Sequence, residues 1–296
     1  GMLNANGYET MGLFAAIFCA IVLYASAWFT RDRIPHLTQP DEDQAARFSW
    51  TNFGRDLMMA ISNRNYLFLL LGFFLLSVTL GAREGFNNYM NLFYWELVPD
   101  QMRFYVVGTA AGYILAFTQT FRIHRMIDKR ATIVLSALGL AILPAIPVIL
   151  RIWGMFPENG ADNLLFWLIV FNGTGAAAGA ILNISVMSAL ADIADENELK
   201  FGNRQEGVLY AARTFFAKAD HALGIFVAGL AIDLIQFPVN AKPGEVEADT
   251  IHMLGLIDSP YSIIPAAIAA AFYAGYRINR HKHAKIREEL AARSAA

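Results

Sequence analysis

Seven long stretches of predominantly apolar residues constrain this 296-residue chain more than any other feature. A helix that crosses the hydrocarbon core of a bilayer needs about 20 such residues. The stretches lack the short alternating segments that are typical of a membrane β-barrel. They occupy residues 11–30, 66–95, 104–121, 131–150, 164–191, 207–235 and 259–276. We therefore predict an all-α polytopic membrane protein with about seven transmembrane helices.

The composition excludes the main alternatives to a membrane protein. Apolar residues make up 56% of the chain and charged residues 16%, whereas soluble domains carry about 25% charged residues. The net charge of −2 leaves no basic surplus for binding nucleic acid. The single cysteine, Cys19, excludes an internal disulfide and a cysteine-based metal cage, and no Gly-x-Ser-Gly or His-x-x-x-His motif occurs. We expect no enzyme, no catalytic residue, no metal site and no organic cofactor.

The basic residues predict how the spans are oriented. With the three basic residues inside spans set aside, 17 Lys and Arg lie in one alternating set of loops and three in the other. The N-terminus is therefore predicted outside and the C-terminal tail inside. Residues 31–65 form a polar inside loop with two prolines and an acidic run, which indicates a linker between two helical bundles.

A polar stripe follows the apolar start of the second stretch. A charged side chain at the bilayer centre costs about 2.5–3.5 kcal/mol on insertion scales, so it normally faces a cavity or a partner. At the helical period, one arc of about 100° holds Glu84, Asn87, Asn88 and Asn91. We predict that these four line a substrate cavity and that the adjacent Arg83 pairs with a neighbouring helix. The alternative is that the span ends near residue 82 and the stripe is an outside loop.

The sixth stretch carries four titratable residues, Arg213, Lys218, Asp220 and His221. Lys218 lies about three turns into the helix, so we predict that it points into the same cavity, with His221 three residues further on. A hydrogen-bonded core histidine is the alternative for His221. Arg213 and Asp220 are seven residues apart and share a different face; snorkelling to the interface is the alternative for Arg213.

Charged residues of both signs separate the fifth and sixth stretches. Acidic side chains at the C-terminal end of a helix oppose its dipole, so basic groups must compensate them. We predict a loop whose ion pairs hold an inside gate closed, and the alternative is a solvated turn. With Arg213 and Asp220, the predicted gating network contains Asp192, Asp195, Glu198, Arg204 and Glu206.

The segment from Asp192 to Glu206, with Lys218 beyond it, resembles the glycoside–pentoside–hexuronide:cation symporters, a branch of the major facilitator superfamily. The family pattern is Asp-x-x-Asp-Tyr-x-Glu, then Arg-x-Glu, then a helix with Thr and, four residues on, Lys. Glu196 stands where the family favours Tyr, and Phe201 where it often has Thr.

The resemblance implies a twelve-helix secondary transporter of two bundles, of which the seven spans would be helices six to twelve. Residues 1–30 would be the last helix of the N-terminal bundle, 31–65 a cytoplasmic linker, 66–280 the C-terminal six-helix bundle and 281–296 a cytoplasmic tail.

The resemblance also implies symport of a sugar or glycoside with Na⁺ or H⁺ across a bacterial inner membrane. The main cation site would lie in the N-terminal helices that this chain lacks. The alternatives are an amphipathic lipid or another non-sugar solute, or a seven-helix receptor or scaffold. A retinal protein is excluded, because the last stretch contains no Lys.

Overall fold

The computed structural model describes residues 5–36, 50–202 and 206–295. Every regular element in these ranges is helical, which confirms the all-α prediction. The chain divides into two compact units, Gly1–Asn52 and Phe53–Ala296, each of which is described by itself.

The first unit is dominated by α1, Ala5–Thr30, which is followed by a 3₁₀ turn, Arg31–His36. At 1.5 Å per residue, the 26 residues of α1 extend about 39 Å, enough to cross a bilayer. Its large apolar side chains are exposed, as with Phe14 at 75% and Phe29 at 79%. A helix that is apolar on all sides is suited to lipid or to other helices, not to water. Residues 37–49 of the predicted linker lie outside the described residues.

Eleven helices lie in the described residues from 50 onward, which make up most of the second unit. Several of them continue through short 3₁₀ or π turns, and helices α4 and α7 are brief. They are α2 Trp50–Ser62 (its first residues belong to the first unit), α3 Arg64–Tyr89 with a π turn at Met90–Tyr94, α4 Pro99–Met102, α5 Tyr105–Met126, α6 Lys129–Ile142 with a 3₁₀ turn at Leu143–Ala145, α7 Ile146–Ile152, α8 Leu164–Phe201, α9 Glu206–Leu234, α10 Ala248–Asp258, α11 Pro260–Tyr273 and α12 Arg280–Ala295.

Six helical stretches in the described part of the chain are long and apolar enough to cross a membrane. The predicted count of seven is therefore one too many by this criterion, and the difference is α5. With 22 residues α5 is long enough, but its C-terminal part carries polar and basic residues. Its outward side chains are nevertheless apolar, with Phe117 at 69% and Phe121 at 70% exposure.

Two predicted boundaries are wrong in the same direction, because α8 and the helix of the last span extend beyond the predicted apolar stretch, whereas the second span ends near the predicted residue 95. Helix α3 and its π turn run to Tyr94, which excludes the outside-loop interpretation of the polar stripe. Helix α8 runs 38 residues to Phe201 and ends where Gly202 adopts a φ of 76°. The last span begins at Ala248 and is broken at Pro260. The charged segment after residue 191 is thus mainly helix and not a loop.

Glycines set the closest helix contacts. A Cβ atom at Gly112 of α5 would overlap the carbonyl oxygen of Gly173 on α8, so the two backbones touch. Gly175 and Gly179 of α8 make a different kind of contact, since those positions face side chains of α6 and of the turn after it. Small residues at such contacts are typical of membrane helix pairs.

Candidate functional site

Five polar side chains of α3 and α9 form a surface that we call the polar patch: Glu84, Asn87, Asn88, Lys218 and His221. All are exposed except His221, which is half-buried. The Oε2 atom of Glu84 lies 2.9 Å from Nε2 of His221, so the structure brings the two helices' polar residues together.

Asn91, predicted as a fourth member of the stripe, does not share this surface. It is buried at 8% exposure and its Nδ2 donates to Oδ1 of Asn87 at 3.0 Å. Asn91 therefore holds the side chain of Asn87 from its buried side and is not itself part of the exposed surface.

The patch exists because α3 and α9 approach closely at glycines. A Cβ atom at Gly81 would overlap the carbonyl oxygen of His221, and one at Gly224 would overlap that of Val78. With no side chain between the backbones, Glu84 on α3 can reach His221 on α9. The glycines thus set the distance between the two halves of the patch.

The patch combines a carboxylate, two amides, an ammonium and an imidazole. Exposed charge within a membrane-spanning helix is costly unless it faces water or a partner. Amides and carboxylates accept hydrogen bonds from hydroxyl groups, and amides and ammonium groups donate to them. The arrangement is therefore chemically suited to an aqueous cavity that holds a polar solute.

Arg83, adjacent to the patch, faces into the bundle. Its Nη2 lies 3.8 Å from Oδ2 of the buried Asp258, and its Nη1 lies 3.5 Å from the carbonyl oxygen of Ala141. Ser259 Oγ donates to the same Asp258 oxygen at 2.9 Å. Arg83 thereby connects α3 to the break between α10 and α11 and to the end of α6. This confirms the predicted pairing with a neighbouring helix.

Arg213 and Asp220, the two members of the predicted gating network on α9, have different surroundings. Arg213 Nη2 donates to Asn183 Oδ1 on α8 at 2.9 Å, and its guanidinium lies over the ring of Phe73 at 4.6 Å. Asp220 is buried at 1% exposure, and neither carboxyl oxygen has a hydrogen-bond partner among the described residues. Asn183 thus hydrogen-bonds between helices, as does Asn172, which accepts from Thr109 at 2.9 Å.

The charged end of α8 is held by basic and polar groups from three other elements. The carboxylate of Asp192 is 2.5 Å from Lys129 Nζ at the start of α6. It accepts from Tyr276 Oη at 2.9 Å and lies 3.4 Å from Nε2 of His283 on α12. The same imidazole nitrogen is 3.0 Å from Oδ2 of Asp195. Two acidic residues of α8 thus share one histidine.

Glu196 forms the second half of this arrangement. Its Oε2 accepts from Nδ2 of Asn63 and of Asn65, both at 2.9 Å. Its Oε1 accepts from Lys282 Nζ at 2.7 Å and lies 3.4 Å from Lys200 Nζ. Glu196 is 2% exposed. The four groups that contact its carboxylate are all hydrogen-bond donors. This satisfies the requirement that a buried charge be paired and hydrogen-bonded.

We call the two halves together the end network. The predicted need for basic compensation at the α8 C-terminus is met here, by two lysines and a histidine from other elements. Tyr276 is a donor within it: burial, then the negative charge of Asp192, raises its pKa above the ordinary value. Its hydroxyl therefore stays protonated and available to Asp192.

The end network differs from the predicted gate. Asp192 is 5% exposed, and its partners among the described residues, Lys129, Tyr276 and His283, belong to the second unit. Asp195 and Glu198 are half-buried on α8, and Glu206 is the first residue of α9. Arg204, the predicted basic member, lies outside the described residues.

The sequence also matches the model of the MFS/sugar transport protein family over residues 1–280. The chain belongs to this family. The match confirms the major facilitator resemblance and makes the chain a multi-pass membrane protein.

Three relatives illustrate the similarity of this MFS/sugar transport protein to known sequences. It is 23% identical to the isoprimeverose transporter of Lactiplantibacillus pentosus over 299 residues, which is 99% of this chain and 57% of the relative. It is 29% identical to a putative sulfoquinovose importer of Escherichia coli K12 over 138 residues, 47% and 27% of the two chains. An uncharacterized symporter of Synechocystis is 30% identical over 143 residues, 46% and 25%.

The chain thus spans between about a quarter and just over half the length of these curated relatives.

Sequence reasoning about this MFS/sugar transport protein missed most partners in the end network. Lys282 and His283 appeared only as part of a basic tail, and Tyr276 only as the end of a span. One signal was present: Asn63 precedes the apolar stretch by one turn, and its Oδ1 caps α3 by accepting from two backbone N–H groups. The capping position predicts a helix start, but not that the amide nitrogen donates to Glu196.

Proposed function

We propose that this chain is part of a secondary active transporter that moves a sugar or glycoside together with a cation by alternating access. The polar patch is the observation that carries the proposal, because it places charged and amide groups on the exposed faces of two membrane-spanning helices. The names of two relatives, an isoprimeverose transporter and a putative sulfoquinovose importer, support a sugar-like solute.

The same proposal assigns the two units of the chain. The first unit supplies the last helix of an N-terminal bundle, and the second supplies the C-terminal bundle of six spans, with α5 counted among them. The polar patch would then line a midplane cavity. The C-terminal helix α12 would lie on the cytoplasmic side of the inner membrane, where its basic residues are favoured.

The coupling cation is proposed as Na⁺ or H⁺. The patch holds Glu84 and His221 in contact at 2.9 Å, and Lys218 makes no ion pair with the described residues. A free ammonium group suits a solute with hydroxyl or anionic oxygens, since it supplies three donors and no acceptor.

Uptake by the full-length protein in proteoliposomes tests the proposal. Radiolabelled isoprimeverose and sulfoquinovose are supplied with an inward Na⁺ gradient, an inward H⁺ gradient or neither. We expect one sugar to accumulate with one gradient. Failure of both sugars under both gradients would contradict the sugar proposal, and accumulation that needs neither gradient would contradict symport.

Asn88→Ala tests whether the patch contacts the solute. Loss of one hydrogen bond worth about 1–1.4 kcal/mol should weaken the apparent affinity by about five- to tenfold. Asn163→Ala is the matched control, because Asn163 is exposed ahead of α8 and its side chain makes no capping hydrogen bond. Equal affinities in the two variants would remove Asn88 from the site.

A further inference from the structure

We propose that Asp220 is a proton-binding site at the centre of α9, protonated in this conformation and deprotonated when α3 and α9 separate. The inference rests on the proposed transport function and names H⁺ as a coupling ion within the C-terminal bundle. It assigns a role to a buried acidic residue that the polar patch and the end network leave unused.

Asp220 is the central residue of α9 and therefore lies as far as possible from both ends of the helix. The helix runs from Glu206 to Leu234, so 14 residues, or about 21 Å, lie on either side. Asp220 is 1% exposed, and both carboxyl oxygens lack hydrogen-bond partners among the described residues.

Charged groups on the packed helices are absent or engaged elsewhere. Helix α8 has no acidic, basic or histidine residue between positions 164 and 191, and α3 has none between positions 65 and 82. The next two residues of α3, Arg83 and Glu84, contact Asp258 and His221.

On α9 itself, Arg213 donates to Asn183, and Lys218 is exposed on the polar patch. Within the described residues, no cation neutralises Asp220.

A carboxylate in this setting would have neither water nor a counter-charge. Burial of an isolated ionised carboxylate is so unfavourable that such a group takes up a proton instead. The geometry therefore assigns Asp220 the neutral carboxylic acid form in the sealed contact between α3 and α9.

The same geometry provides a route to release the proton. Lys218 and His221, on the same turn of α9, reach the exposed patch, so Asp220 lies directly behind a polar surface. Backbone contacts at Gly81 and Gly224 close the seam between the helices. A rearrangement that opens this seam admits water to Asp220 and favours the ionised form. A proton that binds one conformation better than another shifts the balance between them, which is the requirement for coupling.

Infrared difference spectroscopy of the full-length protein tests the protonation state without any transported solute. The parent should show the C=O stretching band of a protonated carboxyl group at neutral pH. Asp220→Asn should remove that band. Asp233→Asn, the matched control on an exposed position of α9, should retain it. A parent spectrum without a band assignable to Asp220 overturns the proposal.

Sugar accumulation under a pH gradient tests the coupling. An inward gradient of one pH unit corresponds to about 1.4 kcal/mol, and so to about tenfold accumulation of a solute that moves with one proton. Asp220→Asn should lower this ratio to about one but keep exchange of labelled for unlabelled isoprimeverose. Asp233→Asn should keep both. An Asp220→Asn protein that still accumulates sugar with the pH gradient overturns the proposal.

The two tests separate this inference from the proposed function. Absence of uptake of any tested sugar contradicts the transport proposal, whereas the infrared band still decides the state of Asp220. Uptake driven by Na⁺ alone supports symport but overturns the role of Asp220. If the Asp220→Asn protein is unstable, Asp220→Glu, which keeps a titratable carboxyl group, should retain the band and the pH-driven accumulation.

Discussion

At the residue scale, the intramembrane charges divide into those with partners and those without. Glu84 has His221, and Arg83 has Asp258. Lys218 is exposed and makes no ion pair with the described residues. Since charge in a membrane-spanning helix is costly without a partner or water, the unpaired lysine is the group most dependent on what fills the cavity.

Lys218→Ala should abolish coupled uptake in the full-length transporter and leave membrane insertion unchanged, because the side chain is exposed and makes no ion pair with the described residues. Loss of an ammonium contact worth about 1.5–3 kcal/mol corresponds to a decrease of more than tenfold. Uptake rates in proteoliposomes provide the measurement, and Lys242→Ala, exposed between α9 and α10, is the control. Unchanged uptake would exclude Lys218 from the mechanism.

Glu196→Ala should destabilise the bundle. The substitution leaves Asn65 Nδ2 without its acceptor and leaves Asn63 Nδ2 with Asn197 Oδ1 alone, and a buried donor left unpaired costs about 1–3 kcal/mol. A thermal unfolding curve in detergent should therefore shift to lower temperature. Glu288→Ala, exposed on α12, should change stability by less than about 0.5 kcal/mol. Equal shifts would mean that the end network contributes no stability.

At the element scale, hydropathy predicts where spans exist but not where helices end. The apolar stretch of α8 stops near residue 191, yet the helix continues to Phe201. It is about 57 Å long, nearly twice the hydrocarbon thickness of about 30 Å, so its charged end lies beyond the apolar core. Helix propensity is indifferent to that change of environment, since Glu, Ala and Lys are all good helix formers.

The candidate site was predictable to a similar degree. The helical period placed Glu84, Asn87 and Asn88 on one face, and depth within the span singled out Lys218. What no single-sequence pattern contains is the pairing of helices, which is decided by tertiary contacts. Glu84 with His221, and Asn63 with Glu196, are separated by more than 130 residues along the chain. Asn91 was predicted to line the cavity but is buried, because the helical period defines which face a residue lies on and not how deeply it is buried.

Gly224→Ala should weaken the contact between α3 and α9, since the added methyl group would overlap the carbonyl oxygen of Val78. Overpacking of this kind costs about 1–3 kcal/mol. Gly229→Ala on the same helix is the matched control, because nothing lies within 4 Å of the position that its Cβ would occupy. It should be neutral or slightly stabilising.

Melting temperatures of the two glycine variants, compared with the parent protein in the same detergent, provide the measurement. A lower melting temperature for Gly229→Ala than for Gly224→Ala would contradict the assigned helix contact.

At the scale of the whole molecule, the second unit is organised around two polar layers separated by apolar helix packing. One layer is the end network, which ties α3, α6, α8 and α12 at one end of the bundle. The other is the polar patch with the adjoining Arg83 and Asp258. The groups of the end network are paired with one another, so we expect that end of the bundle to be rigid. The polar patch is exposed, so we expect the cavity face to be adaptable.

The orientation of the whole molecule yields a prediction that does not depend on the substrate. One span, α10 with α11, separates Lys242 from Arg287 on α12, so the two residues must lie on opposite sides of the membrane. The excess of basic residues on the α12 side favours the cytoplasm for Arg287. In a cysteine-free background with Cys19→Ser, an impermeant maleimide added to intact cells should label Lys242→Cys and not Arg287→Cys. Both positions are exposed and therefore reactive once accessible. Reversed labelling would contradict the orientation but keep the span, whereas labelling of both from outside would contradict the assignment of α10 and α11 as one membrane crossing.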